Sequence, residues 1–250
     1  MSGAILSVRG LTKKFGGLTA VNNVDFNLPA GELHAIIGPN GAGKTTFFNL
    51  VSGFLPPSAG RVVFDGQDIT GMPTHRISRL GMARTLQVKS VFNGLSVYDN
   101  VWIAAHSCHR FLHPVRSARS YGATAEVAAQ ALAAVELTDR STELAGNLAY
   151  GDVALLEIAI AIAMKPKLLL LDEPVAGMSP DETRRTVRKI KELAQSVNIL
   201  LIEHDMETVF EIADRITVMI QGEVLCQGTA QDIANDPRVQ EAYLGVPEGD

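Results

Sequence analysis

Apolar and polar positions alternate in two stretches near the start of the chain. Residues 5–9 and 19–28 alternate in this way, with turn residues between them, and this predicts two strands. The segment "GRVVFDGQDI" at 60–69 predicts another strand with a turn at Asp65-Gly66. The first part of the chain is therefore predicted to contain mostly strands.

Shorter runs are apolar throughout, and such runs are typical of strands buried on both faces of a parallel sheet. They are "LHAIIG" (33–38), the run "LLLLD" (168–172) and "NILLIEH" (198–204). Between and after them the pattern predicts helices at 44–54 and 181–196, mostly helix over 74–164, two strands near 215–227 and a short helix near 229–235. Alternating strands and helices predict an α/β fold with a mainly parallel sheet, interrupted by a helical insertion of about 70 residues.

Composition narrows the class of protein. The 250 residues carry a net charge of −5, which argues against a nucleic-acid-binding protein because such proteins usually have a basic face. Cys108 and Cys226 have neither the spacing of a metal site nor that of a disulfide framework. The apolar stretch 154–164 is too short to cross a bilayer, and the basic segment 110–122 is predicted to be an exposed connection.

The segment "GPNGAGKTT" matches G-x-x-x-x-G-K-[ST], the phosphate-binding P-loop, and lies between a predicted strand and a predicted helix. Backbone N–H groups at the start of the helix, together with its dipole, favour phosphate oxygens. Lys44 is predicted to reach the β- and γ-phosphates, and Thr45 to bind Mg²⁺. The predicted nucleotide-binding residues are Gly38, Pro39, Asn40, Gly41, Ala42, Gly43, Lys44, Thr45 and Thr46.

Two adjacent carboxylates, Asp172 and Glu173, end the leucine run. Burying a carboxylate is costly unless a cation lies nearby. In P-loop NTPases an Asp at the end of a buried strand holds Mg²⁺, so Asp172 is predicted to bind the metal, with Mg²⁺ and Lys44 offsetting its charge. Glu173 is predicted to polarise the water that attacks the γ-phosphate.

Further motifs follow in an order that resembles the ATP-binding cassette (ABC) ATPases. Gln87 stands at the family's Q-loop glutamine, His204 at its switch histidine, and Phe15 at the aromatic residue that stacks on adenine. The resemblance implies that Gln87 and His204 are catalytic and that Gln87 also touches Mg²⁺. "GMSP" (177–180) stands at the D-loop. The signature, which acts on the nucleotide of a second subunit, corresponds to Leu148, Ala149, Tyr150, Gly151 and Asp152.

Longer segments, such as 81–105 and "NDPRVQEAYLG" (235–245), resemble the ATPase subunits of importers for branched-chain and hydrophobic amino acids, a subfamily that includes urea, amide and aromatic-acid systems. The resemblance implies one ABC domain over 5–245: a mainly parallel core sheet, an N-terminal antiparallel β subdomain and a helical subdomain at roughly 88–164. It also implies ATP and Mg²⁺ as ligands and a peripheral location on the cytoplasmic face of the membrane. Its implied partners are two permease subunits, a second ATPase subunit and, indirectly, an extracytoplasmic solute-binding protein, with no nucleic acid.

The signature departs from the family pattern L-S-G-G-Q. Ala149 replaces the serine whose hydroxyl meets the γ-phosphate, and Asp152 replaces the glutamine with a negative charge. Because each signature serves the partner's nucleotide, these changes would weaken the partner's site and not the chain's own P-loop. We therefore expect a heterodimer in which the partner supplies an intact signature. The alternative is that backbone N–H groups at the start of the helix suffice without the serine.

Three other functions fit parts of the sequence. A soluble ABC ATPase that is not coupled to transport is disfavoured because such proteins usually carry two cassettes or coiled-coil insertions, and this chain has no heptad run. A regulatory module without turnover is disfavoured by Glu173 and His204. An exporter is disfavoured because exporter cassettes are often fused to their membrane domain. The transported solute is not encoded in this chain, because it meets other subunits.

Overall fold

The computed structural model describes residues 3–85, 91–107 and 122–244. The described strands form two sheets, as the sequence predicts. The first sheet is antiparallel with the order β2-β1-β4-β5. Its strands are β1 (Ala4–Phe15), β2 (Leu18–Pro29), β4 (Ala59–Phe64) and β5 (Gln67–Asp68).

The second sheet has the order β10-β9-β3-β8-β7-β6. Its pairs are parallel except for the hairpin β9-β10. Its strands are β3 (Leu33–Ile37), β6 (Met82–Arg84), β7 (Leu168–Asp172), β8 (Asn198–Ile202), β9 (Arg215–Ile220) and β10 (Glu223–Gly228).

The leucine run of β7 is apolar throughout because it is buried on both faces of this sheet. Leu168 and Leu170 belong to a core cluster formed with the first sheet and the helix that follows the P-loop. Leu169 and Leu171 belong to a second cluster formed with the helices at 97–107, 122–134 and 150–163 and those after residue 180. Alternate residues of a strand point to opposite faces, so one strand with four leucines joins the two cores.

The structure describes helices from the P-loop to the C-terminal part of the chain. They are α1 (Lys44–Val51), α2 (Thr74–Leu80), α3 (Val97–Ser107), α4 (Gly122–Ala134), α5 (Tyr150–Ala163), α6 (Pro180–Leu193), α7 (Met206–Ile212), α8 (Ala230–Ala234) and α9 (Pro237–Leu244). Helices α3, α4 and α5 pack on one another. In the chain they lie between β6 and β7. They lie in the predicted helical insertion, whose boundaries and the single-domain assignment stay predictions.

The structure adds detail to several sequence predictions. The region 74–164, predicted to be mostly helix, contains β6 and short 3-10 turns at Thr138–Arg140 and Ala145–Asn147 in addition to its α-helices. The predicted helix near 229–235 is followed by another, α9. The predicted connection 110–122 lies almost entirely outside the described residues. Across the residues described, no helix combines the length and apolar character needed to cross a membrane.

Candidate functional site: a nucleotide site at the edge of the sheet

Three neighbouring parallel strands bring the P-loop, Asp172 and His204 to one edge of the second sheet. Ile36 of β3 pairs with Ile202 of β8, and Ile202 pairs with Asp172 of β7. The P-loop begins two residues after Ile36, and His204 lies two residues after Ile202. Because the carboxyl ends of parallel strands meet at the same edge, this register places the P-loop, His204 and Asp172 side by side, where ligands bind in open α/β sheets.

The P-loop backbone takes conformations that only glycine adopts easily. Gly38 has φ 155° and Gly43 has φ 96°. A Cβ atom on Gly38 would lie 2.1 Å from the carbonyl oxygen of Met219, and one on Gly43 would lie 2.4 Å from the carbonyl oxygen of Ala20. The loop is therefore held against β9 on one side and β2 on the other, and a side chain at either glycine would displace it.

Lys44 folds back into the P-loop. Its Nζ donates to the carbonyl oxygens of Gly38 at 2.5 Å and Pro39 at 3.1 Å. Burial lowers the pKa of the Lys44 ammonium, while the nearby carboxylates of Glu173 and Asp172 act in the opposite direction. The Lys44 ammonium thus interacts electrostatically with both carboxylates. It lies in the P-loop, where it could also bind a phosphate group.

The first turn of α1 suits an anion. It contains no acidic residue, and its N-cap, Gly43, has no side chain that could cap the backbone N–H groups. Thr45, the second residue of the helix, is exposed. Backbone N–H groups at an uncapped helix start bind phosphate well, and a threonine hydroxyl next to them can serve a bound cation.

Asp172 is buried and has a direct cationic partner. Its Oδ2 accepts from Nη2 of Arg84 at 2.8 Å, and the Asp172 side chain is 0% exposed. The sequence predicts Mg²⁺ and Lys44 as the compensating charges. Arg84, which makes the direct contact, was not predicted.

The other oxygen of Asp172 suits a metal. Among the residues that the structure describes, Oδ1 is buried and has no hydrogen-bond partner. A buried carboxylate oxygen without a partner is costly, and a hard divalent cation prefers oxygen ligands of this kind. The residues present therefore fit Mg²⁺.

Glu173 follows Asp172 with an unusual backbone conformation. Its φ is 50°, a left-handed conformation that is uncommon for a residue with a side chain and that clusters at functional sites. The Glu173 N–H donates to the carbonyl of Ile202 at 2.9 Å, which ties this turn to β8. At this turn the chain leaves the sheet, directly after Asp172, the last residue of β7 and the candidate metal ligand.

His204 lies at the end of the neighbouring strand and is 59% exposed on its side chain. The residue before it, Glu203, is fully buried and accepts from the N–H groups of Val175 at 3.2 Å and His204 at 3.1 Å. Burial raises the pKa of the Glu203 carboxyl, although those two N–H groups act against the shift. Glu203 thus holds the segment after Glu173 close to the segment that carries His204.

Of the predicted site residues Phe15 and Gln87, the structure describes Phe15 but not Gln87. Phe15 ends β1, is 46% exposed, and has the Lys13 ammonium 5.2 Å from its ring centroid. An exposed ring on this hairpin is available for stacking. Gln87 lies outside the described residues, so its predicted roles stay predictions.

The five signature residues lie at and just before the start of α5, and two of them, Gly151 and Asp152, contact α6. The Gly151 N–H donates to Oε1 of Glu182 at 2.9 Å. Asp152 is buried, with Oδ1 2.7 Å from Arg185 and Oδ2 2.9 Å from Arg140. The negative charge of Asp152 thus has two arginine partners. Of the backbone N–H groups at the start of this helix that could contact phosphate in place of the serine, the N–H of Gly151 already donates to Glu182.

Comparison with known proteins identifies the family. A family model described as "ABC transporter" matches residues 21–176. The chain belongs to the ABC transporter ATP-binding family. A second model, described as "Branched-chain amino acid ATP-binding cassette transporter", matches residues 223–249 of this ABC cassette.

Curated relatives match the cassette over nearly its whole length. It is 42% identical to the high-affinity branched-chain amino acid transport ATP-binding protein LivG of Escherichia coli, over 98% of this chain and 99% of that protein. It is also 42% identical to BraF of Pseudomonas aeruginosa, which bears the same description, with the same coverage. The lipopolysaccharide export system ATP-binding protein LptB of Acidithiobacillus ferridurans is 34% identical over 96% of this chain and 97% of that protein.

Solved structures agree with the fold. The ADP conformation of an ATP-binding cassette of an ABC transporter superposes with a TM-score of 0.86 at 29% identity, covering 97% of this chain and 99% of that one. A nucleotide-free cassette from an ABC transporter gives 0.86 at 28% identity, covering 98% and 100%. The predicted fold class is confirmed, and the chain is a nucleotide-binding ATPase cassette.

Several charged residues that contact predicted site residues were not predicted, among them Arg84, Arg140, Glu182, Arg185 and Glu203. Some of these contacts join residues that are far apart along the chain; Arg84 and Asp172, for example, are 88 positions apart. A charged residue within a short apolar strand, as in "MAR" at 82–84, is the one sequence signal that could have indicated Arg84.

Proposed function

We propose that this cassette is the ATP-hydrolysing subunit of an importer for branched-chain amino acids or a related amide, urea or aromatic acid, located peripherally on the cytoplasmic face of the membrane. The observation that carries the ATPase part is the convergence of the P-loop, Asp172 and His204 at one edge of the sheet. The match of residues 223–249 to the branched-chain amino acid model supports the solute class.

The roles of the residues follow from their positions. Lys44 and the N–H groups at the start of α1 would hold the phosphates, and Phe15 would stack on adenine. Thr45, Asp172 and Gln87 would hold Mg²⁺, which when bound neutralises charge on the phosphates. Glu173 would accept the proton of the attacking water, with Gln87 and His204 completing the site around the γ-phosphate.

The partners are proposed from the family and from the signature. Two permease subunits would carry the solute, and an extracytoplasmic binding protein would supply it. The second ATPase subunit would bring an intact signature to this chain's P-loop site, because Ala149 lacks the hydroxyl that a normal signature serine offers. The partner's own nucleotide, which would meet Ala149 in place of the serine, would be hydrolysed slowly.

A second candidate is an export system, because the LptB relative works in lipopolysaccharide export and matches nearly the whole cassette. Two observations favour the import assignment over it. The identity to LivG is higher, 42% against 34%, and residues 223–249 match a model named for branched-chain amino acid transport.

Uptake of labelled leucine by cells that lack this chain tests the proposal. The wild-type chain should restore uptake and Lys44→Ala should not, because the phosphates lose their buried cation. Lys191→Ala, which changes an exposed lysine on α6, is the control and should restore uptake. Deletion that leaves the uptake of all the proposed solutes unchanged would contradict the import assignment.

A further inference from the structure

The side chain of Arg84 joins the P-loop helix to the strand that carries Asp172. Its side chain is 8% exposed, and Nη2 donates to Asp172 at 2.8 Å. Nη1 donates to Oδ1 of Asn49 at 2.7 Å and to Oγ of Ser52 at 2.9 Å. Asn49 belongs to α1, the helix that begins with Lys44, and Ser52 is its C-cap. One guanidinium therefore fixes the distance between two parts of the nucleotide site.

Two aromatic rings hold the guanidinium in place. Its central carbon lies 5.6 Å from the ring centroid of Phe48 and 5.2 Å from that of Phe54. Arginine stacks on aromatic faces and forms directed hydrogen bonds from a rigid planar group, which the ammonium of lysine cannot reproduce. The site is thus built for arginine and not simply for a positive charge.

The pairing leaves the two oxygens of Asp172 in different situations. Arg84 binds Oδ2, while Oδ1 is buried without a partner among the residues described. A carboxylate held at one oxygen has a fixed rotamer, so its second oxygen points in one direction. Partners that orient metal ligands in this way are known to affect metal affinity strongly.

We propose that Arg84 is a positioning residue for the metal: it holds Asp172 so that Oδ1 is available to Mg²⁺, and it keeps Asp172 in register with α1. This inference rests on the proposed nucleotide site and deepens it. Arg84 does not touch the nucleotide, so its loss should weaken the contribution of Mg²⁺ to nucleotide binding and leave metal-free nucleotide binding unchanged.

The test is the affinity of the purified chain for a fluorescent ADP, measured with Mg²⁺ and with EDTA. In the wild type, Mg²⁺ should tighten binding. In Arg84→Lys, which keeps the charge, the apparent Mg²⁺ affinity should fall by about tenfold or more, while the affinity in EDTA stays the same. Arg61→Lys, at an exposed ion pair with Asp68, is the matched control and should behave as wild type.

A second variant covers the case in which Arg84→Lys does not fold. Asn49→Ala removes one acceptor of the guanidinium without altering the ion pair, and it should reduce the Mg²⁺ effect in the same direction by a smaller factor. If both folded variants keep the wild-type Mg²⁺ dependence and lose only thermal stability, Arg84 is a structural ion pair and the inference is overturned. If the wild type itself binds no nucleotide, the proposed function fails first, and the inference fails with it.

Discussion

At the scale of single residues, the chemistry depends on carboxylates with distinct surroundings. Asp172 is buried and paired with Arg84. Glu173 is only partly buried and takes a left-handed backbone conformation. Glu203 is fully buried and holds backbone N–H groups. These surroundings support the proposed roles, metal binding by Asp172 and water activation by Glu173, while Glu203 links two backbone segments.

Glu173→Gln should separate ATP binding from ATP hydrolysis. The amide cannot accept the proton of the attacking water, so hydrolysis should fall by about 10²- to 10⁴-fold while ATP binding is retained. Turnover and ATP retention by the assembled transporter measure this. Glu207→Gln, at an exposed position of α7, should leave both unchanged. Unchanged turnover in Glu173→Gln would remove Glu173 from the mechanism.

His34 should make the cassette sensitive to acid. It is buried, contacts Thr217 at 2.7 Å, and burial, helped by Arg215, lowers its pKa from 6.5 to about 3. Between pH 6.5 and about 3, His34 is protonated in the unfolded chain but stays neutral in the folded chain. The free energy of unfolding therefore falls as the pH falls through this range.

Chemical denaturation at pH 7 and pH 5 measures this effect. From pH 7 to pH 5, the free energy of unfolding should fall by about 2 kcal/mol more in the wild type than in His34→Gln. The comparison with the variant removes the contribution of the carboxylates, which titrate in both proteins. Equal losses in the two proteins would show that His34 is not the acid-sensitive group.

At the scale of elements, the junction between α5 and α6 explains the unusual signature. Glu182 accepts from the Gly151 N–H with one oxygen and from Ser179 with the other, so it links the signature to the D-loop of the same chain. Asp152 and Arg185 form a second link between the same helices. The residue that replaces the usual glutamine thus anchors the signature helix to α6.

Asp152→Ala should destabilise the fold, because it leaves Arg185 and Arg140 without their shared carboxylate. The arginines are partly exposed, so we expect a loss of about 2 kcal/mol, below the 3–5 kcal/mol typical of a fully buried pair. A double-mutant cycle with Arg185→Ala should give a coupling energy of about 1 kcal/mol. Arg184→Ala, at an exposed pair on α6, should cost little, and a zero coupling energy would contradict the anchor.

Sequence patterns predicted the elements whose signal is long or continuous. Strands β3 and β7 were predicted from their apolar runs, and α6 from its length and charge. Strand β6 was missed because three residues carry no period, and α9 because it starts at a proline soon after another helix. The P-loop was predicted from local spacing, whereas Arg84 was missed because its partner is 88 positions away and only tertiary packing joins them.

At the scale of the whole molecule, the proposed heterodimer predicts how a homodimer of this cassette would behave. A homodimer would place Ala149 opposite both nucleotides. ATP hydrolysis by a purified homodimer should therefore be slow, and Ala149→Ser should raise it because it returns the hydroxyl to the signature. A homodimer of the wild-type chain that hydrolyses ATP at a normal ABC rate would contradict the predicted asymmetry.

The proposed function requires this cassette to power transport as part of a membrane complex. Purification of the chain from its native membranes in mild detergent, with mass spectrometry of the proteins that accompany it, tests this requirement. We predict two permease subunits and a second ATPase subunit with an intact signature. Recovery with ribosomal or DNA-associated proteins and no membrane protein would contradict the transport assignment and leave only the ATPase chemistry.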